Sequence, residues 1–119
     1  MKEELKKMID NYGIDVEDEL DVSPFEFDYT FRTREYLAKE YELFDIDEKE
    51  KLKHYDKVLL SRAKEFYEYL KPLKIWGNNS SPIKYWWWHL DKVVSGQLKI
   101  NIDKNEVDYC GEIIKLDIK

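Results

Sequence analysis

With 119 residues, 39% of them charged and 15% aromatic, the chain has the size of one domain, residues 1–119. It has enough rings to fill a core, which excludes a disordered polymer. Its formal net charge of −6 argues against a nucleic-acid binder, which needs a basic footprint to displace phosphate counterions. The same charge favours a protein partner, in particular a basic one, or self-association. Cys110 is the one cysteine, so an intrachain disulfide is excluded, no Cys/His metal spacing exists, and a reducing cytoplasm is the natural compartment. The charged amino terminus does not read as a signal peptide, and no apolar run is long enough to predict a membrane span.

In chain order, Leu5, Met8, Ile9 and Tyr12 mark one face of a short first helix, with Gly13 as its expected stop. The carboxylates Asp15, Glu17, Asp18, Glu19 and Asp21 follow. Their spacing lacks the central Gly and terminal Glu of a calcium loop, so residues 14–24 read as a solvated acidic linker and no metal site is expected. Phe25, Phe27, Tyr29 and Phe31 alternate with polar residues as in a strand, while Ser23-Pro24-Phe25-Glu26 reads as a capping box. The reading adopted is an extended segment leading into a helix capped near Thr30 or Thr33, with Leu37, Tyr41 and Phe44 facing inward.

Asp47 and Glu50 form an acidic capping pair for a long helix. Its stripe runs through Leu52, Tyr55, Leu59, Phe66, Tyr69 and Leu73, and Pro72 ends it. Arg62 falls on this stripe, where an arginine lays its stem across apolar neighbours and keeps its head near water. Gly77-Asn78-Asn79-Ser80 is a turn-rich loop whose glycosylation triplets have no meaning without secretion.

Residues 81–96 hold three of the four tryptophans and form the centre of the expected fold. Ser81 as N-cap, Pro82 at the first helical position and Gly96 as left-handed stop predict a helix of about four turns. Ile83, Trp86, Trp87, Leu90, Val93 and Val94 make its inward face. Tyr85, Trp88, His89 and Lys92 fall on a flank, three and four residues apart. After Gly96 the period changes from 3.6 to 2. Leu98, Ile100 and Ile102, then Val107 and Tyr109, then Ile114, Leu116 and Ile118 predict a three-stranded antiparallel meander. Asp103-Lys104-Asn105 and Gly111-Glu112 are its turns, and Cys110 is expected partly or wholly buried and unreactive, on the sheet face opposite Val107 and Tyr109. The fold class is therefore α+β, mostly helical with about four helices, followed by a C-terminal meander packed on the Trp-rich helix.

Neither His54 nor His89 belongs to a ligand or nucleophile motif, and no base stands beside Ser80, Ser81 or Ser95 in a catalytic pattern. No catalytic residue, cofactor or metal is expected. The first functional reading is a non-enzymatic interaction module of a small acidic cytoplasmic protein: an inhibitor, antitoxin-like or adaptor protein. It places partner or ligand contact at Tyr85, Trp88, His89 and Lys92, with Trp88 as exposed anchor. The alternative is a small-molecule binder or small enzyme whose aromatic pocket is walled by the Trp-rich stretch.

Overall fold

Among the described residues, which are 2–20, 24–77 and 80–116 of a computed structural model, five α-helices precede one three-stranded antiparallel sheet. The α+β class and the C-terminal meander thus hold, with one helix more than expected. The contacts group the chain, read from its length as one domain, into two units, Met1–Ser61 and Arg62–Lys119.

The first unit is helical. Helix α1 (Lys2–Glu17) buries Leu5, Ile9, Tyr12 and Val16, spaced as one stripe, and packs against α2 (Phe27–Lys39) and α3 (Ile46–Ser61). Each such aliphatic side chain contributes about 1.5–3 kcal/mol when fully buried. Gly13 does not stop α1, as the sequence reading expects, but lies buried inside it. A Cβ at this position would overlap the ring carbons Cζ, Cε1 and Cε2 of Tyr55 from α3. The glycine is there for close approach of two helices and not for a turn.

Residues 14–17 continue α1, so the expected acidic linker is shorter than the sequence suggests. Just past the helix, Asp18 Oδ2 accepts a hydrogen bond from the Leu20 amide, and Leu20 takes a positive φ of 61°. The aromatic alternation at residues 25–31 is not a strand. A 3-10 turn at Pro24–Glu26 runs directly into α2, so that helix begins at Phe27 and not at Thr30 or Thr33. Phe27, Thr30, Phe31, Arg34 and Leu37 form its buried stripe at 3-4 spacing, leaving Tyr29 on the outside. Ser23, the expected cap, lies outside the described residues.

The capping box of α3 stands two residues earlier than the sequence reading places it. Asp45 Oδ1 accepts from the Glu48 amide at 2.8 Å, and Glu48 Oε1 accepts from the Asp45 amide at 2.9 Å. Tyr41, Phe44, Leu52 and Leu59 are buried as expected.

The expected long helix is interrupted: α3 ends at Ser61, and α4 (Ala63–Tyr69) opens the second unit after Arg62, whose φ of −109° and ψ of 19° leave the helical region. The Arg62 guanidinium lies 5.1 Å from the centre of the Phe66 ring and pairs with Glu65. A 3-10 turn at Lys71–Leu73 follows, and the Trp76 indole N–H donates to the Tyr67 carbonyl at 3.0 Å, folding the loop back onto α4.

The Trp-rich stretch departs most from expectation. No continuous helix spans residues 82–95, and Ser81 is not an N-cap. A 3-10 turn covers Trp86–His89, and α5 is confined to Leu90–Ser95. The backbone leaves the helix at Tyr85 (φ −92°, ψ 66°) and again at His89 (φ −129°, ψ 35°). Trp86, Trp87, Trp88, His89 and Leu90 are consecutive and all buried. A regular helix fans successive side chains at about 100° and would turn some of them to water. Gly96 ends α5 in the left-handed region at φ 86°, as expected.

Helix α5 packs against both α4 and β1 (Leu98–Asn101). Strand β2 (Glu106–Tyr109) lies between β1 and β3 (Glu112–Lys115). The register opposes Ile100, Val107 and Ile114, and likewise Leu98 and Tyr109, which gives one apolar face. Leu98 and Val107 are buried. Asn105 turns the first hairpin at φ 56°, and its side-chain amide donates to the Leu116 carbonyl at 3.1 Å. The second turn is Cys110-Gly111, both at positive φ (54° and 93°), and not Gly111-Glu112. This is the I′ geometry that matches strand twist, and it puts Cys110 in solvent, contrary to its expected burial. Ile118 lies outside the described residues, as do Asn78 and Asn79 of the turn-rich loop.

Candidate interaction site

The flank read from the sequence does not form an exposed anchor. Trp88 is only 7% exposed and His89 5%, while Tyr85 and Lys92 are half-buried. The physical reason is the pair of backbone breaks at Tyr85 and His89, which turns Trp88 inward with its neighbours. Trp86 and Trp87 meet edge to face at 5.4 Å, and Tyr85 lies 5.4 Å from Trp87. Of the rings expected to wall an aromatic pocket, Tyr85, Trp86 and Trp87 pack on one another.

His89 and Lys92 do come together. His89 Nε2 is 2.8 Å from the Ser81 carbonyl oxygen, which can only accept, so Nε2 carries the proton. Nδ1 is then the acceptor, and the Lys92 ammonium stands 3.4 Å from it. Burial pushes the imidazole pKa below its ordinary value; the Lys92 charge adds to that, while the Ser81 carbonyl and Asp91 oppose it. The arrangement holds a neutral histidine between a carbonyl and a cation, which suits a structural tie and not a proton-transfer site.

A second constellation lies in the first unit, and the sequence reading passed over it. Arg34 grips Asp56 with two hydrogen bonds, Nε to Oδ1 at 2.9 Å and Nη2 to Oδ2 at 2.8 Å, and the Tyr12 hydroxyl donates to the same Oδ1 at 2.7 Å. All three side chains are buried. Burial alone would push the Arg34 pKa down, but Asp56 outweighs it and holds the guanidinium firmly charged. Burial and the Asp56 charge push the Tyr12 hydroxyl well above its ordinary value. The signal was present: Arg34 stands three residues from both Phe31 and Leu37, and Asp56 stands between Leu52 and Leu59, each a charge on an otherwise apolar stripe.

A cleft opens to solvent between the end of α1 and the start of α2, with a volume of about 320 Å³. Phe27 and Thr30 are its buried members, and Ile14 and Tyr29 are 65% and 71% exposed. Asn11, Asp15 and Asp18 complete the lining. The Thr30 hydroxyl donates to Asp15 Oδ2 at 2.7 Å and fixes that carboxylate across the two helices. Among the described residues no group of three His, Cys, Asp or Glu is disposed to hold a metal ion. No described helix is long and apolar enough to cross a membrane.

No protein-family model matches the chain, and neither does any curated protein or solved structure.

Proposed function

We propose that this chain is a non-enzymatic protein-interaction module of the cytoplasm, an inhibitor, antitoxin-like or adaptor protein that engages a basic protein or a second copy of itself. The observation that carries the reading is the exposure of large apolar side chains near the end of α1 and in the run into α2: Ile14 at 65%, Phe25 at 66% and Tyr29 at 71%. Single exposed apolar residues are ordinary, but Ile14 and Tyr29 line one cleft together. Covering side chains of this size stabilises a complex by about 1.5–3 kcal/mol each before ordering costs, and aromatic rings are the commonest anchors. The contact is assigned here and not to Trp88, whose ring has little surface left to offer.

The test compares the wild-type chain with an Ile14→Ser, Phe25→Ser, Tyr29→Ser triple variant, by sedimentation velocity at about 10 μM and by capture from an extract of the source organism. The expected result is self-association, or recovery of one protein in stoichiometric amount, that the triple variant loses while keeping its thermal unfolding transition. A wild-type chain that stays monomeric and recovers nothing beyond what the variant recovers overturns the reading.

A further inference from the structure

We infer that the cleft between α1 and α2 receives a lysine or arginine side chain from a basic segment of the partner protein, which deepens the interaction reading above and rests on it. The volume, about 320 Å³, lies at the bottom of the range for small-molecule pockets and suits one long side chain with its flanking backbone. The lining is divided in the way such a side chain is divided. Ile14, 65% exposed, offers apolar surface for a methylene stem, and the carboxylates of Asp15 and Asp18 offer a counter-charge for its head.

Charge decides the sign of the ligand. Among the described residues, Asp15 and Asp18 are the charged side chains lining the cleft, and no described lysine, arginine or histidine lines it. The two carboxylates give the described lining a net negative charge. The hydrogen bond from Thr30 does not cancel the charge of Asp15, since a hydroxyl is neutral and a carboxylate offers about four acceptor positions. Tyr29, with its ring largely in solvent, adds an aromatic face on which a guanidinium or ammonium can settle.

The experiment follows backbone amide shifts of the isotopically labelled full chain during titration with an acetylated, amidated Gly-Arg-Lys-Gly peptide, with Gly-Glu-Glu-Gly as control. The expected result is saturable shifts confined to the segments around Asn11–Asp18 and Phe27–Thr30, absent with the acidic peptide. Asp18→Asn and, separately, Ile14→Ser should each weaken the apparent affinity about fivefold or more at an unchanged melting temperature. Asp15 is left intact because it ties α1 to α2 through Thr30. Shifts spread over the acidic surface, shifts that Asp18→Asn leaves unchanged, or no shifts at all overturn the inference. Its failure is separable from failure of the parent reading. A partner lost by the triple serine variant but retained by Asp18→Asn keeps the interaction and removes the cation.

Discussion

The two units solve the problem of a small core in opposite ways. In Met1–Ser61 three helices enclose an arginine, an aspartate and a tyrosine whose hydrogen bonds have fixed geometry. In Arg62–Lys119 the interior is filled by consecutive tryptophans, and its buried polar tie is a histidine held by a backbone carbonyl. The first core is specified by direction and the second by area. An ion pair taken out of water is weak evidence for stability, because desolvation offsets much of the attraction. Packed rings stabilise without burying a full charge, each removing about 150–250 Å² from water.

The largest expected effects test this difference. Asp56→Ala leaves the Arg34 guanidinium buried without its carboxylate and should cost about 3–5 kcal/mol of unfolding free energy. Trp86→Ala should cost a similar amount by opening a cavity. The two separate on repair. The double replacement Arg34→Met with Asp56→Leu, made in a Tyr12→Phe background, should recover most of the loss and even exceed the wild type, since apolar isosteres remove the desolvation penalty. No polar replacement of Trp86 should recover anything. Chemical denaturation of the set measures both, and a triple variant as unstable as Asp56→Ala would show that the ionic geometry is itself a source of stability.

Titration separates the units a second time, with smaller effects. His89 is held neutral, with its pKa below the ordinary 6.5. Below that pH the unfolded chain takes up a proton that the native ring refuses, so stability is lost as pH falls from 6.5 towards the lowered native value. Lys92 and Asp91 both act on the ring, and Lys92 makes protonation of Nδ1 less favourable. Tyr12 behaves in the opposite sense. Its pKa lies above the ordinary 10.0, so the unfolded chain releases a proton first and stability falls as pH rises past 10. Each slope is bounded at about 1.4 kcal/mol per pH unit. His89→Gln should flatten the acid limb of melting temperature against pH and leave the alkaline limb alone, whereas Tyr12→Phe should do the reverse. Identical limbs in all three proteins would contradict both assignments.

What was legible in the sequence followed from periodicity, and what was not followed from contacts distant in the chain. The buried Leu37, Leu52, Leu59 and Phe66, the change of period after Gly96 and the positive φ at Asn105 and Gly96 are local consequences of residue type and spacing. Gly13 is the counter-example, because the letter that ends a helix also lets two helices touch, and only Tyr55, far along the chain, tells them apart. Ser81-Pro82 carries good helix-start chemistry, yet the His89 bond to the Ser81 carbonyl and the burial of adjacent rings require a kinked turn. For the candidate site, the flank of Tyr85, Trp88, His89 and Lys92 assumed a regular helix, and the breaks at Tyr85 and His89 bury Trp88 and His89 instead of presenting them. The cleft was hidden because Tyr29 sits in an aromatic alternation that mimics a strand, while its partner Ile14 falls in what reads as an acidic linker.

The smallest effect belongs to the second hairpin, where the sheet unit departs from its own apolar logic. Cys110 occupies the first central position of a turn that requires positive φ, a region that costs an ordinary L-residue about 1 kcal/mol and costs asparagine less. Its side chain gains nothing in return, since it lies in solvent. The strands on either side hold the turn by other means. The Cys110 amide donates to the Gln97 carbonyl, and the Gly111 amide donates to Asp108 Oδ1. A replacement that keeps the backbone amide therefore loses no hydrogen bond. Cys110→Asn should raise stability by about 0.5 kcal/mol, and the native wild-type thiol should react with a colourless disulfide reagent as fast as it does in denaturant. Slow labelling, together with a destabilised Cys110→Asn variant, would mean that the thiol is packed and that the turn falls one residue later, at Gly111-Glu112.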